Sequence, residues 1–151
     1  MLVRDIRPED RAQWAVLWQG YLEFYKVPDL APEITEKTWS RFFDPAEPVH
    51  ALVAEVDGVL LGLVHYIFHR NTWCLDDVCY LEDLFTAPPA RGRGVGRALI
   101  EAVYAKAQEK KATRVYWLTH ETNKTAQRLY DKVAVKSGFI QYRKNFQAPA
   151  L

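Results

Sequence analysis

Two apolar runs, Val49 to Val56 and Val59 to Phe68, are separated only by Asp57-Gly58, and this dipeptide constrains the fold more than any other local feature. Both of its residues tolerate a positive φ, which a tight turn needs to match the twist of two antiparallel strands. An antiparallel hairpin is therefore expected near the middle of the chain.

The elements around the hairpin follow from periodicity and punctuation. Residues 2–7 alternate Leu2, Arg4 and Ile6 as a short strand would, and Pro8 offers the fixed φ favoured at a helix start. Between Glu9 and Tyr25, the residues Trp14, Leu17, Trp18, Tyr21, Leu22 and Tyr25 recur at helical spacing, giving an aromatic face suited to core packing. A turn over Lys26 to Pro32 precedes a second short helix, Glu33 to Phe43, ended by Asp44-Pro45. After the hairpin come a strand at Cys79 to Thr86, a Gly-rich turn, and a helix with Leu99, Ala102, Val103 and Ala107 on one side. A strand at Val115 to Thr119, a helix from Asn123 to about Lys136 and a final strand at Phe139 to Phe146 complete the order β-α-α-β-β-β-α-β-α-β. That order predicts an α/β (α+β) domain with a mixed sheet.

Size and charge narrow the function. A chain of 151 residues without a linker-like stretch predicts a single domain over 1–151. Twenty Lys+Arg against nineteen Asp+Glu leave a net charge of +1, which gives no nonspecific pull toward nucleic acid or an acidic membrane. The longest mostly apolar stretch, Val59 to Phe68, is far shorter than the roughly 20 residues that span a bilayer. The charged start, Arg4 and Asp5, does not read as a signal peptide, and Cys74 and Cys79 lack metal-ligand spacing. The expectation is a soluble, cytoplasmic protein with reduced cysteines and no metal.

The most chemically specific stretch is Arg91-Gly92-Arg93-Gly94-Val95-Gly96-Arg97, between an expected strand and an expected helix. Side-chain-free positions there let backbone N–H groups converge at the positive end of a helix dipole, where a phosphate binds. Arg91, Arg93 and Arg97 add cationic contacts suited to a diphosphate. A plain tight connection from strand to helix is the alternative. Gly96 is followed by Arg97-Ala98, so the Gly-Lys-Ser/Thr of a P-loop is missing, and the spacing and position also depart from a Rossmann fingerprint.

Together, Leu84 to Gly96 and Asn123-x-x-Ala126-x-x-Leu129-Tyr130 resemble the GCN5-related N-acetyltransferase (GNAT) superfamily. Its turn reads Arg/Gln-x-x-Gly-x-Gly/Ala and holds the pyrophosphate of acetyl-CoA. Tyr80-Leu81-Glu82-Asp83-Leu84-Phe85 looks like the segment before that turn in diamine (spermidine/spermine) acetyltransferases, and Tyr116 to Asp131 looks like the histone/polyamine branch. The resemblance implies a mixed, mostly antiparallel central sheet of 6–7 strands flanked by about four helices. It also implies acetyl-CoA as cosubstrate, with no metal. Unlike the family pattern, Tyr130 is followed by Asp131 to Ser137 before Gly138-Phe139, so the resemblance does not set the register of the last strand.

By the same resemblance, the backbone of Leu84, Phe85 and Thr86 pairs with the pantetheine arm, and Gly92 to Arg97, including Val95, hold the diphosphate. Asn123 and Ala126 approach the arm from the other side; Asn123 also suits the N-cap of the helix it opens. Acetyl transfer needs a neutral amine, so a proton must be removed. The resemblance assigns that task to Glu82, through water, and gives Asp83 to amine binding. Adjacent strand residues face opposite sides, so the two roles conflict unless the strand bulges there; ordinary salt-bridged carboxylates are the alternative. Tyr130 is the matching acid for the departing thiolate, or else a core tyrosine, and the Phe85 N–H polarises the thioester carbonyl.

The acceptor implied is a small-molecule amine. Acidic residues near the cleft suit a polyamine or lysine-like cation, whereas an amino acid needs a cation for its carboxylate, from His69, Arg70 or His120. Tyr25, beside Tyr21 and Glu23, ends the first helix where resembling enzymes contact substrate. Two other readings stand beside this one, a noncatalytic acyl-CoA sensor and a protein-lysine or histone-tail acetyltransferase. A homodimer, joined through Phe139 to Phe146 or the aromatic helices, is the family-level expectation.

Overall fold

The structure, a computed structural model, describes residues 1–147. The chain divides into two compact units, Met1–Trp117 and the segment from Leu118 onward, and each is described by itself.

The first unit runs β1 (Leu2–Asp5), a 3-10 turn (Pro8–Asp10), α1 (Arg11–Phe24), α2 (Pro32–Arg41), β2 (Val49–Val56), β3 (Val59–His69), β4 (Val78–Thr86), a second 3-10 turn (Pro88–Ala90), α3 (Val95–Glu109) and β5 (Val115–Tyr116). The sheet order is β1-β2-β3-β4-β5, antiparallel throughout except for the parallel β4–β5 pair. The Asp57-Gly58 turn forms as the dipeptide demands, with φ of +50° and +79° and Val56 facing Val59 across the hairpin.

Helices cover both faces of this sheet. Adjacent strand residues point to opposite sides, and on β3 Gly62 meets Val95 and Leu99 of α3 while Leu63 joins the cluster around Trp14 and Leu17 of α1. The α1 face is buried as its spacing predicts: Trp14, Leu17, Trp18, Tyr21 and Leu22 are in the core, whereas Tyr25, the C-cap, stays 37% exposed. Burying each such large side chain contributes about 1.5–3 kcal/mol. Helix α2 contributes the partly buried Trp39 and Phe42, and Trp18 Nε1 donates to Thr35 Oγ1 at 3.1 Å.

The second unit holds α4 (Lys124–Val133), capped by Asn123, followed by non-regular backbone. Four expectations need correction. The sheet has five strands among the described residues rather than six or seven, and β5 is two residues long rather than extending from Val115 to Thr119. No strand forms over Phe139 to Phe146. Phe139, Ile140, Tyr142 and Phe146 are 77–93% exposed, and apolar residues alone make no strand unless a neighbouring strand pairs the backbone. Helix α4 stops at Val133 instead of Lys136, with Ala134 extended (φ −152°, ψ −176°), where β-branched Val133 and Val135 weaken helix propagation. No helix among the described residues is long and apolar enough to cross a membrane.

Candidate active site

The site grows from an irregularity in β4. His65 pairs with Asp83 and Tyr66 with Leu81, leaving Glu82 as an extra residue on β4. Because His65 and Tyr66 are neighbours on β3, the bulge sends Leu81 and Asp83, two residues apart, to opposite faces. Strict alternation therefore does not separate Glu82 from Asp83, and the charges of both bear on Tyr21. Glu82 is solvent-exposed, yet its pKa lies above the ordinary carboxylate range. The surrounding protein is the main cause, the charge of Asp83 adds to it, and His65 opposes it.

Asp83 is 7% exposed and lies on the α1 side. His65 Nδ1 is 2.9 Å from Asp83 Oδ2, and Trp14 Nε1 is 3.0 Å from His65 Nε2. Tyr21 is buried within electrostatic reach of the same carboxylate, and burial together with the Asp83 charge raises its pKa. Tyr25 stacks at a tilt on Tyr21, with ring centroids 4.7 Å apart. Its pKa is raised by burial and then by Asp83. The fold thus gathers Tyr21, Tyr25, Glu82 and Asp83 at the end of α1.

Beyond this cluster, β4 opens along one edge. Its parallel partner β5 pairs only at Cys79↔Val115 and Tyr80↔Tyr116, so Leu84, Phe85 and Thr86 pair with β3 alone, opposite Val64, Leu63 and Gly62. An extended amide-bearing ligand can complete such an edge. The strand then leads to the Gly-rich turn. Gly92 and Gly94 adopt φ of +75° and +81°, a region that favours glycine. Gly94 is the N-cap of α3 and makes no side-chain cap. The first N–H groups of α3, at Val95, Gly96 and Arg97, lack intrahelical partners and carry the positive end of the dipole.

The three arginines of the turn differ in setting. Arg91 bends back over Phe85, its guanidinium carbon 5.7 Å from the ring centroid and Nε 3.3 Å from Thr86 O. Arg97 pairs with Glu101 at 2.9 Å, and Arg93 is exposed. A groove of about 810 Å³ lies between α1 and this turn, lined by Val16, Gly20, Phe24, Phe85, Pro88 and Arg91.

The remaining expected site residues belong to the second unit. Asn123 accepts from Ala126 N at 3.3 Å, so its N-cap role is present. Ala126 and Tyr130 are half-buried on the same helix. The Nδ1 of exposed His120 accepts from Thr122 N at 3.2 Å and contacts Thr122 Oγ1 at 2.7 Å. Among the described residues, no group of three or more His, Cys, Asp or Glu side chains is placed to hold a metal ion.

Sequence reasoning missed His65 and Trp14 as partners of Asp83. The one signal was an imidazole inside an otherwise apolar strand, where a polar ring must find hydrogen-bond partners.

The acetyltransferase (GNAT) family model matches residues 14–134. The chain is 38% identical over 147 residues to D-amino-acid N-acetyltransferase HPA3 of Saccharomyces cerevisiae, a match covering 96% of this chain and 91% of the yeast protein. It is 26% identical over 138 residues to thialysine N-epsilon-acetyltransferase of Bos taurus, covering 86% of this chain and 81% of that protein. The solved structure of AAC(6')-Iy in complex with a bisubstrate analog matches with a TM-score of 0.81 at 21% identity, covering 95% of this chain and 97% of that one. This last likeness is one of fold.

Proposed function

The chain belongs to the acetyltransferase (GNAT) family and is an enzyme of that class, and from that premise we propose that it moves an acetyl group from acetyl-CoA directly to a primary amine of a small molecule. The acceptor is a polyamine, a diamine or an amino-acid-like compound. Similarity to proteins named for D-amino acids and thialysine supports the last of these. The observation that carries the reading is one continuous edge, from the carboxylate bulge at Glu82 along Leu84–Thr86, which pair with β3 alone, to the uncapped start of α3.

The residues present fit acetyl-CoA, which supplies the activated acyl group when bound. Leu84, Phe85 and Thr86 offer backbone groups to the pantetheine arm. The N–H groups of Gly92 to Arg97 face the diphosphate, with Arg91, Arg93 and Arg97 adding charge. Asn123 and Ala126 contact the arm from α4. Glu82 takes the amine proton through water, and its raised pKa brings its basicity closer to the operating pH. Asp83, Tyr25 and His120 contact the acceptor, and Tyr130 returns a proton to the departing thiolate. Residues 1–151 act as one N-acetyltransferase domain. A cytoplasmic location belongs to the same reading, in keeping with the free thiols of Cys74 and Cys79.

The test is thiol release from acetyl-CoA against spermidine, diamines, thialysine, D- and L-amino acids and a histone-tail peptide, run beside Tyr130→Phe and Glu82→Gln. Turnover of one small-amine class, lost in both variants, is expected. Tight acetyl-CoA binding without turnover would instead mark a sensor, and preference for the peptide would mark a protein acetyltransferase.

We also infer a homodimer. The supporting observation is the exposed apolar stretch Phe139, Ile140, Tyr142 and Phe146, which a second copy would cover. Light scattering after size exclusion should give twice the chain mass, and a monomer at all concentrations overturns it.

A further inference from the structure

We infer that Trp14 and His65 form a positioning pair that fixes the Asp83 carboxylate as the docking anion for the acceptor ammonium. This rests on the N-acetyltransferase reading above and deepens it.

Hydrogen-bond chemistry sets the direction of the chain. An indole N–H can only donate, so the Trp14 contact at 3.0 Å requires a lone pair on His65 Nε2. The ring proton then resides on Nδ1 and points at Asp83 Oδ2, 2.9 Å away. His65, 2% exposed, has no room to turn over without breaking both bonds. The Tyr21 ring lies within electrostatic reach of the same carboxylate. A carboxylate offers about four acceptor positions, so a neutral donor orients the group without filling it or cancelling its charge. Among the described residues, His65 is the one basic side chain in ion-pair range of Asp83, and in this tautomer it is neutral. A tenth of the Asp83 side chain remains exposed, and the neighbouring Tyr25 feels its charge. An oriented, charged and partly open carboxylate beside phenol rings and a carboxylate bulge is a receptor for an ammonium group. The donor behind it holds the anion in place.

The experiment joins a spectroscopic readout to a kinetic one on the full chain. Nitrogen-15 NMR of the His65 ring, assigned by difference from His65→Asn, should show the Nδ1–H tautomer. In Trp14→Phe, which keeps a ring and loses the donor, Asp83 should still hold the proton on Nδ1 while the Nε2 resonance moves as its hydrogen bond is lost. With thialysine and D-alanine as probes, Trp14→Phe and His65→Leu should raise the amine KM about tenfold, while kcat and the acetyl-CoA KM stay within about threefold. His65→Asn, whose amide can replace the Nδ1–H donor, should recover most of the loss. An Nε2–H tautomer in the wild type overturns the pair even if the enzyme turns over normally. Amine and acetyl-CoA parameters moving together, or no rescue by asparagine, reduce it to core packing. Failure of the wild type on every amine of the panel sinks the transferase reading and the docking role with it, an outcome distinct from a wrong tautomer in a working enzyme.

Discussion

Asp10 and Glu82 both sit within interacting networks of the first unit, yet their surroundings push them in opposite directions. Asp10 is 5% exposed and receives two guanidinium bonds from Arg4, at 2.8 and 3.0 Å, and the Arg7 N–H at 2.8 Å. Arg4 also holds Glu55 at 2.6 Å. The bonds from Arg4 lower the Asp10 pKa, and this outweighs the cost of burial. Glu82 has the opposite balance, since the neighbouring protein and Asp83 disfavour its charge. A satisfied carboxylate ties β1, β2 and the start of α1 together. A carboxylate displaced on a bulge, its charge disfavoured by its neighbours, is available to take a proton. Perturbation upward rather than downward is what separates a candidate base from a brace.

The sharpest way to break this contrast is to neutralise each acid in turn. Glu82→Gln should lower kcat/KM by about 10²–10⁴-fold, the usual span for loss of a general base, with no fall in melting temperature. Retention of wild-type turnover would return Glu82 to an ordinary surface carboxylate. Arg4→Met should do the reverse. It leaves Asp10 and Glu55 without their shared cation and should cost about 3 kcal/mol in urea unfolding, with kcat/KM within about threefold of wild type. A large kinetic effect there would mean that the brace and the site are coupled.

The two acids were not equally legible in the sequence. The hairpin, the buried face of α1, the strand before the Gly-rich turn and the turn itself follow from local chemistry: positive φ at Asp57-Gly58 and Gly94, helical spacing of aromatics, and dipole logic at Val95. Glu82 and Asp83 could be singled out by residue type and resemblance. Their relation depends on pairing register, because only β3 opposite β4 determines which residue becomes the extra one. The partners of Asp83 were hidden for the same reason: Trp14 and His65 are 51 positions apart, and no local pattern joins them. The overestimate of the final strand at Phe139 to Phe146 has a related cause, since apolar side chains are visible in a sequence and a pairing partner is not.

A smaller test uses pH. Asp10, with a depressed pKa, contributes stability that is fully present above the ordinary carboxylate value and fades as pH falls through the depressed one. Glu82, with a raised pKa, contributes stability that is present below the ordinary value and is lost as pH rises through the raised one. Urea titrations from about pH 2 to about pH 7 should therefore show Asp10→Asn losing ground on the wild type over the acid part of the range, up to the ordinary carboxylate value, and Glu82→Gln gaining on it above that value. Parallel curves for the two variants would remove the electrostatic distinction between them.

The smallest effect concerns a third carboxylate, which neither braces the core nor borders the bulge. Glu101 pairs with Arg97 one helical turn away, at 2.9 Å, with both side chains about half exposed. An exposed pair of this spacing contributes about 0.3 kcal/mol, so Glu101→Gln should leave the melting temperature almost unchanged. Its consequence should lie in binding. Arg97 stands on the first turn of α3, beside the N–H groups proposed to face the diphosphate, and Glu101 competes with phosphate for its guanidinium. Releasing Arg97 should lower the KM for acetyl-CoA about two- to threefold, with the amine KM unchanged, and the gain should shrink as salt screens the exposed charges. An acetyl-CoA KM indifferent to Glu101→Gln would place Arg97 with the solvated surface and leave the diphosphate to the backbone of the turn and its other arginines.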